Sequence, residues 1–209
     1  MTYLPAAFKA LWHELPVLAT SGILLCAASA LVVFLSPGLS PVAALLGAFV
    51  VSPVWAGVVA TTDAVVREDR GGVPALFRNI RRHALAGVGV GLVPGVVVAV
   101  GLLNWELYSG PVFLVPLAVS GCASVLLVLA SCYAFSLRVT AELRGKRLWF
   151  TALHLVARAP LVPLGVLALA FVALLLGTSV TASLLLLAPG PVALFASAGT
   201  WTEKHALHR

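Results

Sequence analysis

Long apolar runs separated by short polar segments organise this chain. Six runs of roughly 20 residues recur, and a helix of that length, rising 1.5 Å per residue, crosses the roughly 30 Å hydrocarbon core of a bilayer. Backbone groups in lipid need internal partners, and the alternating polarity of barrel strands is absent, so the runs predict helices. We expect one all-α membrane domain over 1–209, with spans at about 15–35, 41–61, 84–103, 111–136, 157–177 and 180–201.

Composition supports a polytopic membrane helical bundle. The chain is 61% hydrophobic and only 10% charged, with a mean hydropathy of +1.10, whereas a soluble domain is about 25% charged. The formal net charge of +6 would suit a nucleic-acid partner. We expect none, because the placement of the charges follows membrane topology instead.

The basic residues predict the orientation. All 13 Lys and Arg residues lie in the N-terminal segment, two polar connectors, the start of the fifth span or the C-terminal tail, whereas the outer connections hold a single charge, Glu106. Basic residues favour the cytoplasmic side. The pattern therefore predicts six transmembrane helices with both termini in the cytoplasm (N-in/C-in).

The central polar segment, 62–83, contains an amphipathic stretch after Gly71. Val73, Leu76, Phe77 and Ile80 repeat at helical spacing, and Arg78, Arg81 and Arg82 lie opposite them. Such a helix either lies on the anionic inner leaflet or docks a cytoplasmic partner. The residues that we expect to contact lipid or a partner, here and in the second basic connector, are Arg67, Arg70, Phe77, Arg78, Arg81, Arg82, Arg144, Lys146 and Arg147.

The second basic connector, Leu137–Trp149, pairs opposite charges. Arg138 with Glu142, and Glu142 with Lys146, are four residues apart, a spacing that brings side chains together on a helix. We expect a short helix here, before a fifth span that starts between Phe150 and Pro160.

Small residues recur every four positions in the third span. They are Gly87, Gly91, Gly95 and Ala99. Small residues at this spacing let two helix backbones approach closely. The stripe predicts an internal packing face, although the sequence leaves a homo-oligomer open.

Proline and glycine occur inside two of the predicted spans. Pro94-Gly95 lies in the third span and Pro189-Gly190-Pro191 in the sixth, and each predicts a helix break. Paired breaks in corresponding spans mark the substrate site of transporters built from inverted repeats. Because proline and glycine are common in membrane helices, the alternative is a packing role alone.

Candidate chemistry is confined to the border of the spans. His13, Glu14, Asp63, His83 and His154 lie there and could form an acid–base or metal cluster, but no HExxH spacing occurs and no GxxxxGK[ST] loop is present. Solvated side chains at the interface are the simpler interpretation. We predict no catalytic residues, no metal and no cofactor.

The block 52–92 resembles the YesL family of bacterial membrane proteins. It combines Pro53 in a helix rich in small residues, a charged turn VREDR, Gly71-Gly72, the segment LFRNIRRH and a glycine-rich span. The second basic connector and Ala159-Pro160 extend the likeness along most of the chain, and of the aromatic residues usual in the central segment only Phe77 is present. The resemblance implies an association with carbohydrate uptake and its ABC importers, and it brings no catalytic residues.

Three functions follow as hypotheses. The first is a non-enzymatic accessory or regulatory protein that acts on a transport system or on lipid through its basic segments. The second is the permease subunit of an ABC-type transporter, with Val73–His83 as the helix that contacts the ATPase. The third is a membrane-embedded enzyme with a site at the inner face.

Overall fold

The protein is all-α in the part of the chain that the structure describes. The computed structural model describes residues 14–66, 72–108, 114–141, 143–179, 191–193 and 196. The helices are α1 (Leu15–Leu35), α2 (Pro41–Val66), α3 (Gly72–Leu107), α4 (Leu114–Thr140), α5 (Gly145–Arg158) and α6 (Leu161–Ser179).

The first four helices are each long and apolar enough to cross a membrane. The pair α5 and α6 gives a fifth candidate span if the two count as one, although they are bent by 87°. The protein is therefore a multi-pass membrane protein with four or five candidate spans among the described residues. The predicted sixth span, 180–201, lies outside them apart from residues 191–193 and 196, which are helical.

The connection between α1 and α2 is built from turn residues. The Ser40 hydroxyl accepts a hydrogen bond from the Ala43 N–H at 3.1 Å and lies 2.7 Å from the Ser36 hydroxyl. Ser40 thus caps α2, and Pro41 follows at the first helical position, where its missing N–H costs nothing. Residues 36–40 therefore form a short capped connection between the two helices.

The predicted break at Pro94-Gly95 is wrong, whereas the membrane bounds of the third span stay a prediction. The amphipathic stretch and span 84–103 form one helix, α3, of 36 residues, which continues through Pro94 and Gly95. No glycine or proline separates Arg81 from Ala84, so a change from polar to apolar residues does not end the helix. Proline is tolerated in membrane helices because neighbouring groups compensate for its lost hydrogen bond. Of the second predicted break, Pro189-Gly190 lies outside the described residues and Pro191 is helical.

Glycines allow α3 to pack closely along α2. A Cβ atom on Gly87 would lie 2.7 Å from the Ser52 carbonyl oxygen, and one on Gly95 would lie 2.9 Å from the Ala48 Cβ. Gly91 similarly faces the Ser52 side chain, and Ala99 is buried. This helix pair is the most extensive contact in the fold.

A separate amphipathic helix, α5, interrupts the second basic connector. The chain leaves the helical conformation after Thr140 and restarts at Gly145, whose φ of +58° is strained for residues with a Cβ. Arg138 and Lys146 therefore lie on different helices and not on one short helix, whereas the predicted pairing of both with Glu142 lies outside the described residues. The apolar positions Leu148, Ala152, Leu155 and Val156 are buried.

The bend after α5 has an identifiable cause. Ala159 leaves the helical conformation, with φ −134° and ψ 68°, as expected of a residue that precedes proline. The Tyr133 hydroxyl of α4 donates to the Ala159 carbonyl oxygen at 2.9 Å. Because Tyr133 is only 1% exposed, this bond ties the bend to the core.

Most of the core lies at one end of the bundle, where α2 and α4 end, α3 begins and α5 packs against α4. We call it the basic end and define it by residues 56–66, 72–90, 130–141 and 143–158. The fully buried side chains Val58, Leu76 and Tyr133 lie there. Side chains at the other end, such as Trp105 and Leu114, are exposed at the protein surface.

Candidate functional site

The first three turns of α3 present the predicted contact residues at the basic end. Arg78, Arg81 and Arg82 are exposed, and Phe77 beside them is 52% exposed. Residues spaced by three and four positions lie on one face of a helix. The three guanidinium groups therefore share one surface, which with Phe77 we call the arginine face. Arg67 and Arg70 lie outside the described residues.

The other side of these turns packs inside the protein. Leu76 is completely buried, and Ile80 packs against the same core. A Cβ atom on Gly57 of α2 would lie 2.5 Å from the Ile80 Cα, so the two backbones nearly touch. The apolar side of the amphipathic stretch is therefore packed inside the protein apart from Phe77, which the spacing predicts on that side but which is exposed as part of the arginine face.

A hydrogen bond between helices fixes the orientation of the arginine face. The Asn79 side-chain amide donates to the Thr61 hydroxyl at 3.1 Å, and that hydroxyl donates to the Gly57 carbonyl oxygen at 2.9 Å. Interhelical bonds of this kind stabilise membrane helices by about 0.6 kcal/mol on average. Rotation of α3 about its axis would break the contact, so the arginine face is held in one direction.

Buried polar side chains lie beneath this surface at the end of α2. Thr61, Thr62 and Asp63 are all buried. The Thr62 hydroxyl donates to the Val58 carbonyl oxygen at 3.1 Å, within its own helix. The hydroxyl groups are thus satisfied locally, as buried polar groups require.

The second group of predicted contact residues begins at α5. Arg144, Lys146 and Arg147 are exposed around its first turn. The helix buries one side against the core, so these side chains extend from a fixed support. Two basic surfaces, one on α3 and one on α5, therefore flank the same end of the bundle.

A groove of about 600 Å³ separates α3 from α5. Its walls are apolar, formed by residues such as Leu85 and Val93 of α3 and Leu153 of α5, whereas Arg138, Arg144 and Lys146 also line it. Sequence reasoning missed this groove because it placed α5 partly in a loop and partly in a span. The helical spacing of Leu148, Ala152, Leu155 and Val156 was the signal that could have revealed α5.

The residues proposed for an inner-face catalytic or metal site are dispersed over three helices and the N-terminal segment. Asp63 lies near the end of α2, His83 in α3 and His154 on the exposed side of α5. Across the described ranges, no group of three or more His, Cys, Asp or Glu residues could hold a metal ion. Glu14 directly precedes α1, and His13 lies outside the described residues.

Comparison of the sequence with protein-family models, curated proteins and solved structures gave no match. The resemblance to the YesL family stays a prediction.

Proposed function

We propose that the chain is a six-span, non-enzymatic accessory protein of a bacterial cytoplasmic membrane, with both termini in the cytoplasm. It docks a component of a transport system, of the kind that imports carbohydrate, through the arginine face. The resemblance to the YesL family supports the choice of transport partner. The positive-inside pattern of the 13 basic residues supports the orientation.

The arginine face is the observation that carries the proposal. A helix bound to the leaflet by its apolar side would bury Leu76 and Ile80 in lipid, but α2 covers these side chains. What remains at the surface is three arginine side chains beside a half-exposed Phe77, on a helix that is held in place by the packing of Ile80 and the Asn79 hydrogen bond. Arginine and aromatic side chains held in place are the residues that dominate protein interfaces.

A second candidate function, the permease subunit of an ABC-type transporter, is favoured by α5. Val73–His83 suits a separate ATPase-contacting helix poorly, because these residues are the first turns of α3. The 14-residue α5, in contrast, lies between α4 and α6 and is bent by 87° from the latter. In this alternative, Arg144, Lys146 and Arg147 would contact the ATPase.

Two matched triple variants separate these functions. The first replaces Arg78, Arg81 and Arg82 with glutamine; the second does the same to Arg144, Lys146 and Arg147. Glutamine removes the cations without adding the acidic residues that would perturb insertion. Each tagged protein is purified from native membranes in nanodiscs, and the transport components that accompany it are quantified by mass spectrometry.

The proposal predicts that only the α3 variant loses its transport partner. Loss of an ATPase from the α5 variant alone would replace the proposal by the permease function. Retention of the same partners by both variants, or recovery of the wild-type protein without a transport component, would contradict both functions. Cysteine labelling of each variant from the two sides of the membrane verifies that its orientation is unchanged.

A further inference from the structure

The groove between α3 and α5 combines features that the arginine face lacks. Its described lining contains three basic residues, Arg138, Arg144 and Lys146, and no acidic residue, while the rest is almost wholly apolar. Glu142 lies near them in sequence but outside the described residues. A volume of about 600 Å³ is within the range of ligand sites, about 300–1,000 Å³. The surface therefore suits an amphiphile with an anionic head.

The apolar part of the groove is long and open. From Leu85 to Val93 the wall follows two turns of α3, about 12 Å at the rise of a helix. A Cβ atom on Gly89, between them, would meet nothing within 4 Å. Leu85 is 89% exposed and Phe150 is 72% exposed. These side chains need an apolar cover that the described protein does not supply.

The basic residues are placed where a lipid head group would lie. Arg144 and Lys146 are at the start of α5, which is bent by 87° from α6. If α6 crosses the membrane, α5 lies along its surface, and the half-buried Trp149 is then at the depth where tryptophan is enriched. Guanidinium and ammonium groups bind phosphate strongly. The basic residues would thus lie beside the phosphate of a phospholipid, and the apolar wall beside its acyl chain.

We propose that this groove binds one anionic phospholipid of the cytoplasmic leaflet. The phosphate lies between Arg144 and Lys146, with Arg138 beside it, and an acyl chain lies over Gly89 toward Val93. The inference rests on the membrane placement proposed above but not on the transport partner. A phospholipid is favoured over a protein helix because the charged residues of the described lining are all cationic and all lie near the end of α4 or the start of α5.

The test measures lipid retention by the purified full-length protein. Nanodiscs contain phosphatidylglycerol and phosphatidylcholine in equal amounts, and native mass spectrometry counts the lipids that remain on the released protein. Gly89→Leu fills the groove without changing its charge, and a double variant with Arg144→Gln and Lys146→Gln removes charge without filling it. Gly47→Leu is the control for Gly89→Leu, because a Cβ atom there also meets nothing within 4 Å.

The wild type should retain one phosphatidylglycerol in preference to phosphatidylcholine. Both groove variants should lower this retention by about tenfold, equivalent to about 1.4 kcal/mol. Gly47→Leu and the glutamine triple variant of the arginine face should retain lipid like the wild type. This readout needs no transport component. A negative result for lipid binding would therefore leave the docking function standing, and a negative result for docking would leave lipid binding standing.

Equal retention of the two lipids by the wild type would overturn the inference. The inference would also be overturned if Gly89→Leu left the retention of phosphatidylglycerol unchanged. An equal loss of phosphatidylglycerol from the arginine-face variant and from the Arg144→Gln, Lys146→Gln variant would overturn it as well, because the net positive charge alone would then explain the binding. A second copy of the chain bound in place of lipid would also overturn it. If Gly89→Leu does not give a monodisperse protein, Leu85→Gln tests the same wall at an exposed position.

Discussion

Replacement of Gly57 by alanine should destabilise the protein although alanine is the better helix former. In α2, Gly57 faces the backbone of α3, and a Cβ atom there would lie 2.5 Å from the Ile80 Cα and 2.8 Å from the Ile80 nitrogen. These are backbone atoms, so no change of side-chain rotamer relieves the overlap. The two helices would have to separate along their most extensive contact.

The control is Gly47→Ala on the same helix, where the added Cβ meets nothing within 4 Å. Alanine gains about 0.5–1 kcal/mol over glycine in a helix at either position. Overpacking costs about 1–3 kcal/mol. Because the helix-forming gain is common to both variants, the difference between their unfolding free energies isolates the overlap, and we expect it to be about 1–3 kcal/mol.

The assay is equilibrium unfolding in mixed micelles, followed by circular dichroism, for the wild type and both variants. Gly47→Ala should be as stable as the wild type or slightly more stable, and Gly57→Ala should be less stable. Truncation of the neighbouring side chain by Ile80→Ala should not restore the stability of Gly57→Ala. Equal stability of the two glycine variants, or rescue by Ile80→Ala, would refute the close backbone approach of α2 and α3.

Three further substitutions test the core and the start of α5 by the same unfolding assay. Tyr133→Phe removes the 2.9 Å hydrogen bond to the carbonyl group at the bend and should cost about 0.5–1.5 kcal/mol; an unchanged midpoint would contradict the role of that bond. Ser136→Ala should stabilise the protein by about 1 kcal/mol, because the buried Ser136 hydroxyl has no hydrogen-bond partner among the described residues. Ser131→Ala, which removes a 2.7 Å bond, should give no gain. Gly145→Ala should lower the free energy of unfolding by about 1–2 kcal/mol, because the φ of Gly145 is +58°. Gly165→Ala, within α6, is the control and should not destabilise the protein. If both variants were more stable than the wild type, the turn before α5 would not require a positive φ.

Apolar runs and turn residues predicted the helices where both signals coincide. The first predicted span, 15–35, has the bounds of α1, and the second begins with α2 at Pro41. The length of each apolar run matches the thickness of the bilayer, and Ser40-Pro41 is a sequence that caps and starts a helix. The four-residue spacing of Gly87, Gly91 and Gly95 predicted a packing face, and the structure places these residues against α2.

The errors arose where polarity changes without a helix breaker, or where a breaker lies in a membrane helix. In the first case the continuity of the helix across Ala84 was not predicted, and in the second a break was wrongly predicted at Pro94; both positions lie inside α3. The helix α5 was not predicted because the hydropathy changes little at its ends. Its start depends on the positive φ of Gly145 and its end on Pro160. The groove could not be derived from sequence, because its shape depends on where α5 lies relative to α3.

Photocrosslinking in intact cells tests the docking function most directly. A benzophenone amino acid is placed at Phe77, on the arginine face, or at Trp105, which is 69% exposed at the opposite end of the bundle. The account predicts that irradiation joins the chain to a transport component from position 77, that no such product forms from position 105, and that the glutamine triple variant of the arginine face abolishes the product. Crosslinks to a transport component from position 105 alone, or only to lipid from position 77, would contradict the account.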